Sequence, residues 1–302
     1  MIMTQRKPIS ESHLLIAGTA RDVAHCILKE IRHLHECARG FKCTQILVIE
    51  SDSSDSTIEC LEKLQQEIPE FEFVTLGKLS ASIPSRTQRL SHCRNQIVNA
   101  VRDDPKYQTV DYVMLADLDG VNELLTTEKI AQCWTVPENW DVVCANQLNY
   151  YYDIWALRHP HWNPHNYVAQ YQNLVSWMGE YQAHQIAIDV KQIKLDPDQR
   201  LIPVDSAFGG LAIYKREAYI AGVYGFPEGP VDEVDHAPFH QKLTTQGYKI
   251  YINPAFINCK EPRLPPGKRA KKRPVLQSIR SIGDRLFGKD RLNKYLTTLL
   301  SM

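Results

Sequence analysis

The sequence predicts an α/β fold: a mostly parallel, twisted central sheet with flanking helices, followed by a basic helical C-terminal tail. Three observations carry this. Residues 12–80 alternate short apolar strands with amphipathic helices, the pattern of parallel strands joined by right-handed crossovers. The run Asp111–Gly120 reads as a buried strand that ends in two carboxylates, where open α/β sheets bind ligands. At about residue 261 the charge changes abruptly: 12 Lys+Arg stand against 3 Asp+Glu from Lys260 to the end, in a chain of net charge zero.

The elements follow in order. His13–Ala17 is a short apolar strand that breaks at Gly18-Thr19-Ala20-Arg21. Val23, Ala24, Ile27, Leu28, Ile31 and Leu34 recur at helical spacing, and Gly40 closes that helix. Gln45–Ile49 is the second strand and runs into Glu50-Ser51-Asp52-Ser53-Ser54-Asp55-Ser56. Ser56 with Glu59 forms a capping box for a helix to Glu67, and Phe71–Leu76 is the third strand. Ser85 with Gln88 caps a helix to about Val101, whose polar face carries Arg86, Arg89, Arg94 and Asn95. After the acidic strand come a helix over Glu123–Trp134 and a strand over Asp141–Ala145.

From Gln147 to about Arg200 the pattern turns irregular and aromatic, suited either to core or to a platform for sugar rings. Leu201–Val204 and Phe208–Tyr214 read as strands, with Gly209-Gly210 implying close approach of another group to the backbone. A short helix from Lys215, a Gly/Pro loop over Gly222–Gly229 and a helix over Asp235–Thr245 follow. Tyr248–Ile252 is a last strand, stopped by Asn253-Pro254. Pro262–Pro266 then opens the tail, where apolar residues from Ile279 to Leu299 suggest amphipathic helix.

Composition narrows the function. Zero net charge gives no global field for nucleic acid. The eight cysteines include no C-x-x-C pair and sit in apolar patterns, so reduced buried thiols are expected. The polar stretch Met1–Glu11 has no signal-peptide core, and no apolar run reaches the ~18 residues of a membrane span. The expectation is a cytoplasmic protein. Its basic tail either lies peripherally on an anionic membrane or packs on the domain or in a homo-oligomer. Neither a Walker A sequence, a G-x-G-x-x-G nor a G-x-S-x-G occurs, which argues against P-loop enzymes, dinucleotide oxidoreductases and α/β-hydrolases.

Four constellations remain. Asp117 and Asp119 sit at i and i+2, so on an extended chain their side chains point the same way and can approach one hard cation, Mg2+ or Mn2+. A solvated acidic turn would carry the same residues. Glu50 and Asp52 end the second strand, where carboxylates accept hydrogen bonds from a ribose or a base. Asp55 and Ser56 there also suit a plain helix start. Arg86, Arg89 and Arg94 offer guanidinium forks for phosphate. Last comes Glu233-Val234-Asp235-His236, with His240 one turn on: a third metal ligand in His236, a base in Glu233 or Asp235, or a charged helix start.

In this order the residues resemble a GT-A glycosyltransferase, a Rossmann-like fold. The likeness rests on Ile49–Thr57, on Arg94-Asn95 and on Asp117-Leu118-Asp119, which fits the family's D-x-D motif. Tyr152-Asp153-Ile154-Trp155-Ala156-Leu157-Arg158 is similar to a segment of the fungal capsule-associated mannosyltransferase family and its bacterial relatives. Ser206–Tyr214 and Glu233–His236 fit the same layout.

The resemblance implies a glycosyltransferase domain over 12–261, with a nucleotide-binding half (12–120) and an acceptor-binding half (121–261), ahead of the tail at 262–302. It implies a UDP- or GDP-sugar donor held through Mn2+ or Mg2+, and a glycan or lipid-linked acceptor. Thr19, Arg21, Glu50, Asp52, Arg94 and Asp117 would contact the donor. Asp117, Asp119 and His236 would hold the metal, with Asp117 serving ribose or metal. An inverting enzyme would need a base, for which Asp205, Glu233 and Asp235 are the candidates. A sugar-nucleotide nucleotidyltransferase, or a carbohydrate-binding protein without activity, shares part of this pattern. The first should carry a longer Gly-rich loop after the opening strand than Gly18–Arg21 provides.

Overall fold

A computed structural model describes residues 6–164, 166–225 and 235–260. Glu233 and the tail lie outside the described residues, so neither the base expected at Glu233 nor the role of the tail is placed by the structure.

The predicted architecture is present. Eight strands form one sheet in the order β3-β2-β1-β4-β7-β5-β8-β6. They are β1 (His13–Ala20), β2 (Cys43–Glu50), β3 (Phe71–Thr75), β4 (Tyr112–Ala116), β5 (Val142–Gln147), β6 (Ile202–Val204), β7 (Leu211–Lys215) and β8 (Ile250–Cys259). β1 to β4 run parallel, β7 is reversed between β4 and β5, β8 runs parallel to β5, and β6 is reversed at the edge. Six strands therefore point one way, and their carboxyl ends share one edge of the sheet.

Side-chain alternation divides the core between two faces. Leu15, Leu47, Val113 and Leu115 face α3 (Arg86–Asp103), through Ile97, Val98 and Val101. Their neighbours Leu14, Ile16, Ile46, Val48 and Met114 face α1 (Ile27–Cys37), α2 (Thr57–Glu67) and α4 (Thr127–Thr135). Burial on both faces is what makes these strands read as continuous apolar runs.

Four local readings change. α2 starts without a side-chain bond from Ser56; Asp55 instead accepts from the Thr57 amide, at 3.0 Å. α4 begins at Thr127, capped by the Thr126 hydroxyl, rather than at Glu123. The stretch read as irregular contains α5 (Tyr167–Ala187), broken at Gly179, where φ is 81°. Its aromatic residues obscure the helical period because they face both ways: Tyr171 packs on the core while Trp177 is 87% exposed. β8 continues through Asn253-Pro254 to Cys259, because pairing with β5 shifts register there, and a bulge tolerates proline. Two further helices, α6 (Arg216–Ala221) and α7 (His236–Thr245), join α3 on its side of the sheet.

Gly18 lets β1 close on the acidic end of β4. A Cβ there would stand 2.6 Å from the Ala116 carbonyl oxygen and 2.7 Å from the Leu118 side chain. The backbone oxygen cannot yield without opening the sheet. Gly18→Ala is expected to lower stability by about 1–3 kcal/mol, read as a fall in Tm; an unchanged melt would contradict the close contact.

Candidate active site

A cavity of about 320 Å³ opens at the carboxyl edge of the sheet. Thr19 and Arg21 line it from the end of β1, Ser51 from the end of β2, and Asp117 and Asp119 from the end of β4. Arg86, Arg89 and Arg94 enter from α3, and Asp153, Phe208, Asp235 and His236 complete the far wall. α3 points its N-terminus here because Ser85 caps it, accepting from the Gln88 amide at 3.4 Å.

Acids and arginines meet in the cavity under heavy burial. Asp117 is pushed up to about 7, first by burial and then by Asp119, Asp153 and Asp235, against the pull of Arg94. Burial also raises Asp119, opposed by a backbone hydrogen bond, His25 and Arg86. Asp153 is raised by burial although its oxygens accept from the Gly209 and Ala156 amides, at 3.0 and 3.3 Å. Four aspartates and four arginines thus share one hollow, and burial more than any shortage of positive charge raises the acids.

Arg94 is engaged within the protein. Its Nη1 donates to both carboxylate oxygens of Asp235 at 2.6 Å, and its Nη2 stands 3.4 Å from Asp117 Oδ1. The guanidinium lies over the rings of Phe208 and Tyr224, 5.6 and 5.7 Å from their centroids. Burial works against its charge, but Asp235, Tyr224 and Asp117 outweigh that and raise its pKa. Asn95 beside it exchanges two hydrogen bonds with the Tyr224 backbone, at 2.7 and 2.8 Å. The pair Arg94-Asn95 therefore anchors the chain on both sides of residues 226–234. Nη1 is spent on Asp235, so a phosphate contact from Arg94 would come from its remaining donors.

The strand-end acids of β2 are occupied as well. Glu50 is buried, accepts from the Ser53 amide at 3.0 Å and bonds the Thr75 hydroxyl. Asp52 adopts φ of 61° and accepts from the Ser80 amide at 2.8 Å. That bond and Arg89, 3.5 Å away, outweigh its burial and lower its pKa. Neither acid lines the cavity. Both fix the turn from which Ser51 does. Asp205 is exposed beside β6 and lies outside the cavity lining.

The expected metal centre of Asp117, Asp119 and His236 is not assembled. Among the described residues no group of three or more His, Cys, Asp or Glu could hold a metal ion. His236 is buried and stacked on Phe208, 3.8 Å between centroids, and neither ring nitrogen has a partner among the described residues. Burial, Arg94 and His240 hold its pKa well below the usual range. His240 is satisfied instead, by Ser206 at 3.0 Å and Tyr214 at 2.9 Å.

Asp153 is the acid that sequence reasoning left without a role. It lay inside the quoted Tyr152–Arg158 segment, but the turn after β5 brings it into the cavity, and no spacing rule relates it to Asp117.

No protein-family model and no curated protein matches the chain. Among solved structures, the chain is similar to a mannosyltransferase from Pyrobaculum calidifontis in complex with GDP-Man and Mn2+. The identity is 14% and the TM-score 0.49, over 86% of this chain and 60% of that one. It is also similar to glucosyl-3-phosphoglycerate synthase from Mycobacterium tuberculosis in complex with UDP, at 11% identity and TM-score 0.44, over 85% and 74%. A third is TarS from S. aureus in complex with UDP-GlcNAc, at 9% identity and TM-score 0.44, over 86% and 61%. The chain thus spans less than two thirds of the mannosyltransferase and of TarS.

Proposed function

We propose that the chain is a metal-dependent GT-A glycosyltransferase that moves a hexose from a UDP- or GDP-sugar to a glycan or lipid-linked acceptor. The observation that carries this is the pair Asp117 and Asp119 at the carboxyl end of β4, both lining the cavity and both with raised pKa. Carboxylates that burial leaves poorly solvated favour a cation beside them, and oxygen donors select Mg2+ or Mn2+. The donor set fits two carboxylates, with the remaining positions left to diphosphate and water. When bound, such a cation neutralises the leaving diphosphate.

The chain's own residues supply the rest. Arg21, Arg86 and Arg89 give a cationic rim for phosphate oxygens. Thr19 and Ser51 leave a small polar slot for the nucleoside, held open by Glu50 and Asp52 behind it. Asp235 keeps Arg94 charged and in place. Glu233 retains the role of base for an inverting transfer, and the fungal capsule-associated likeness rests on Tyr152–Arg158, with Ser206–Tyr214 and Glu233–His236 in the same layout. Among the described residues no helix is long and apolar enough to cross a membrane.

Thermal shifts with UDP- and GDP-sugars, with and without Mn2+, test the reading. One nucleotide class is expected to stabilise the protein only with the cation, by about 2.7 kcal/mol at a hundredfold excess over Kd. Asp119→Ala should lose the stabilisation and donor turnover together. If no nucleotide sugar stabilises the protein, or Asp119→Ala responds as the parent does, the proposal fails.

A further inference from the structure

Behind the cavity runs a chain of three buried side-chain amides that all point the same way. The Tyr152 amide donates to Gln147 Oε1 at 3.2 Å. Gln147 Nε2 donates to Asn258 Oδ1 at 3.0 Å, Asn258 Nδ2 to Asn122 Oδ1 at 3.1 Å, and Asn122 Nδ2 to Glu30 Oε1 at 2.6 Å. Each amide nitrogen spends its second hydrogen on backbone. Gln147 and Asn258 both donate to the Gly209 carbonyl at 2.9 Å, and Asn122 donates to the Asp117 carbonyl at 2.9 Å.

Every donor of the three amides is thus used, and each amide oxygen accepts once. Asn122, Gln147 and Asn258 are fully buried, and Glu30 nearly so. A chain of donors running one way must end on an acceptor, and the Glu30 carboxyl oxygen is that end. Bonds aligned in this way polarise one another, and interrupting one exposes the rest to unmet polar groups.

The branches reach both acidic walls. On one side Asp117 is fixed at its carbonyl by Asn122 and at its amide by Gly210, at 2.9 Å. On the other, Gly209 takes two amide donors on its carbonyl and gives its own amide to Asp153 at 3.0 Å. Gly209 has φ of 71°, and a Cβ there would meet the Ala145 carbonyl at 2.5 Å. Only glycine lets this backbone sit against both β5 and the amides.

We propose that Asn258 is a positioning residue that ties the Asp117 strand end and the Asp153–Gly209 wall into one unit. The cavity's affinity for cation and nucleoside diphosphate then depends on a side chain that touches neither. The affinity part rests on the function proposed above; the mechanical coupling does not.

Asn258→Asp keeps the shape and removes both donors, setting a carboxylate against two carbonyl oxygens. Calorimetric titration of UDP and GDP with Mn2+, well below Tm, is expected to show binding ten- to a hundredfold weaker than in the parent. Asn253→Asp is the control: it is buried on the same strand but turns to Cys133, 3.4 Å away. It should lower Tm and leave affinity unchanged. Parental affinity in Asn258→Asp, or equal loss in both variants, would overturn the proposal.

If Asn258→Asp does not fold, the far end of the chain decides. Glu30→Leu is expected to weaken binding, and Glu30→Gln, which keeps an acceptor for Asn122, to retain it; equal behaviour overturns the idea. If the parent protein binds neither nucleotide, the functional reading fails and hydrogen exchange tests the coupling alone. The amides of Asp117 and Tyr152 should then lose protection together in Asn258→Asp, or in Glu30→Leu, while that of Ile46 in β2 does not. Separate or absent changes would refute it.

Discussion

Arg94→Met is expected to destabilise the protein by about 3–5 kcal/mol, the cost of leaving a buried charge without its partner. Asp235 is buried at the cavity wall, with both carboxylate oxygens on Arg94 Nη1 at 2.6 Å. Met fills much of the arginine stem but supplies no hydrogen bond. The rings of Phe208 and Tyr224 also lose the cation between them, about 0.5–1 kcal/mol each. Against a chain of this size the expected fall in Tm is roughly 6–10 °C.

Arg94→Lys should recover only part of this, because one ammonium cannot reach Asp235 and Asp117 from two nitrogens and stack as a plane. Arg94→Met combined with Asp235→Leu should recover more, since it removes the orphaned charge as well as its partner. A single variant whose melt stays within 2 °C of the parent would show that water reaches Asp235, and the pair would then be no keystone of the cavity.

The sheet was legible in the sequence because burial on both faces writes itself as apolar runs, as in Leu14–Ala17, Ile46–Ile49 and Tyr112–Ala116. Glycines and caps punctuated those runs, and Ser85 capped α3 as its spacing implies. The residues from 147 to 200 were not legible, since α5 is partly exposed and kinked and its period is broken at Gly179.

Positions at the carboxyl edge were also readable, for Asp117, Asp119, Thr19 and Arg21 all line the cavity. What a carboxylate does there was not. Glu50 and Asp52 end a strand as a ligand-binding acid would, yet their oxygens face Thr75, Ser53 and Ser80. Sequence spacing reports where a side chain starts, and a loop 25–30 residues away decides whether it is free. The same limit hid the amide chain: Asn122, Gln147 and Asn258 are scattered along the sequence and look like ordinary polar residues until topology stacks them.

Asp117→Asn is expected to stabilise the protein without cation while removing Mn2+-dependent nucleotide binding. The Asp117 carboxyl is raised from 3.8 to about 7, by burial and by Asp119, Asp153 and Asp235 against Arg94. An unfolded chain ionises it near 3.8, so the fold is favoured most below that pH and loses this contribution as pH climbs through about 7. Glu30, raised to about 7 by burial against its bond from Asn122, adds a loss of the same sign. An asparagine has no proton to lose, and its oxygen still faces Arg94. The Tm advantage of the variant should be small near pH 4.5, grow towards pH 7 and then level off. With the Asp117 side chain 36% exposed, water screens much of the effect, and about 1 kcal/mol or roughly 2 °C is the expected plateau. Mn2+ with the nucleotide reverses the order, because it answers the very repulsion that the substitution removes. Melts from pH 4.5 to 8, with and without Mn2+ and UDP or GDP, check this. A parent protein more stable than Asp117→Asn at pH 8 in the absence of cation would mean that Arg94 already balances the site, and the electrostatic case for a bound cation would be lost.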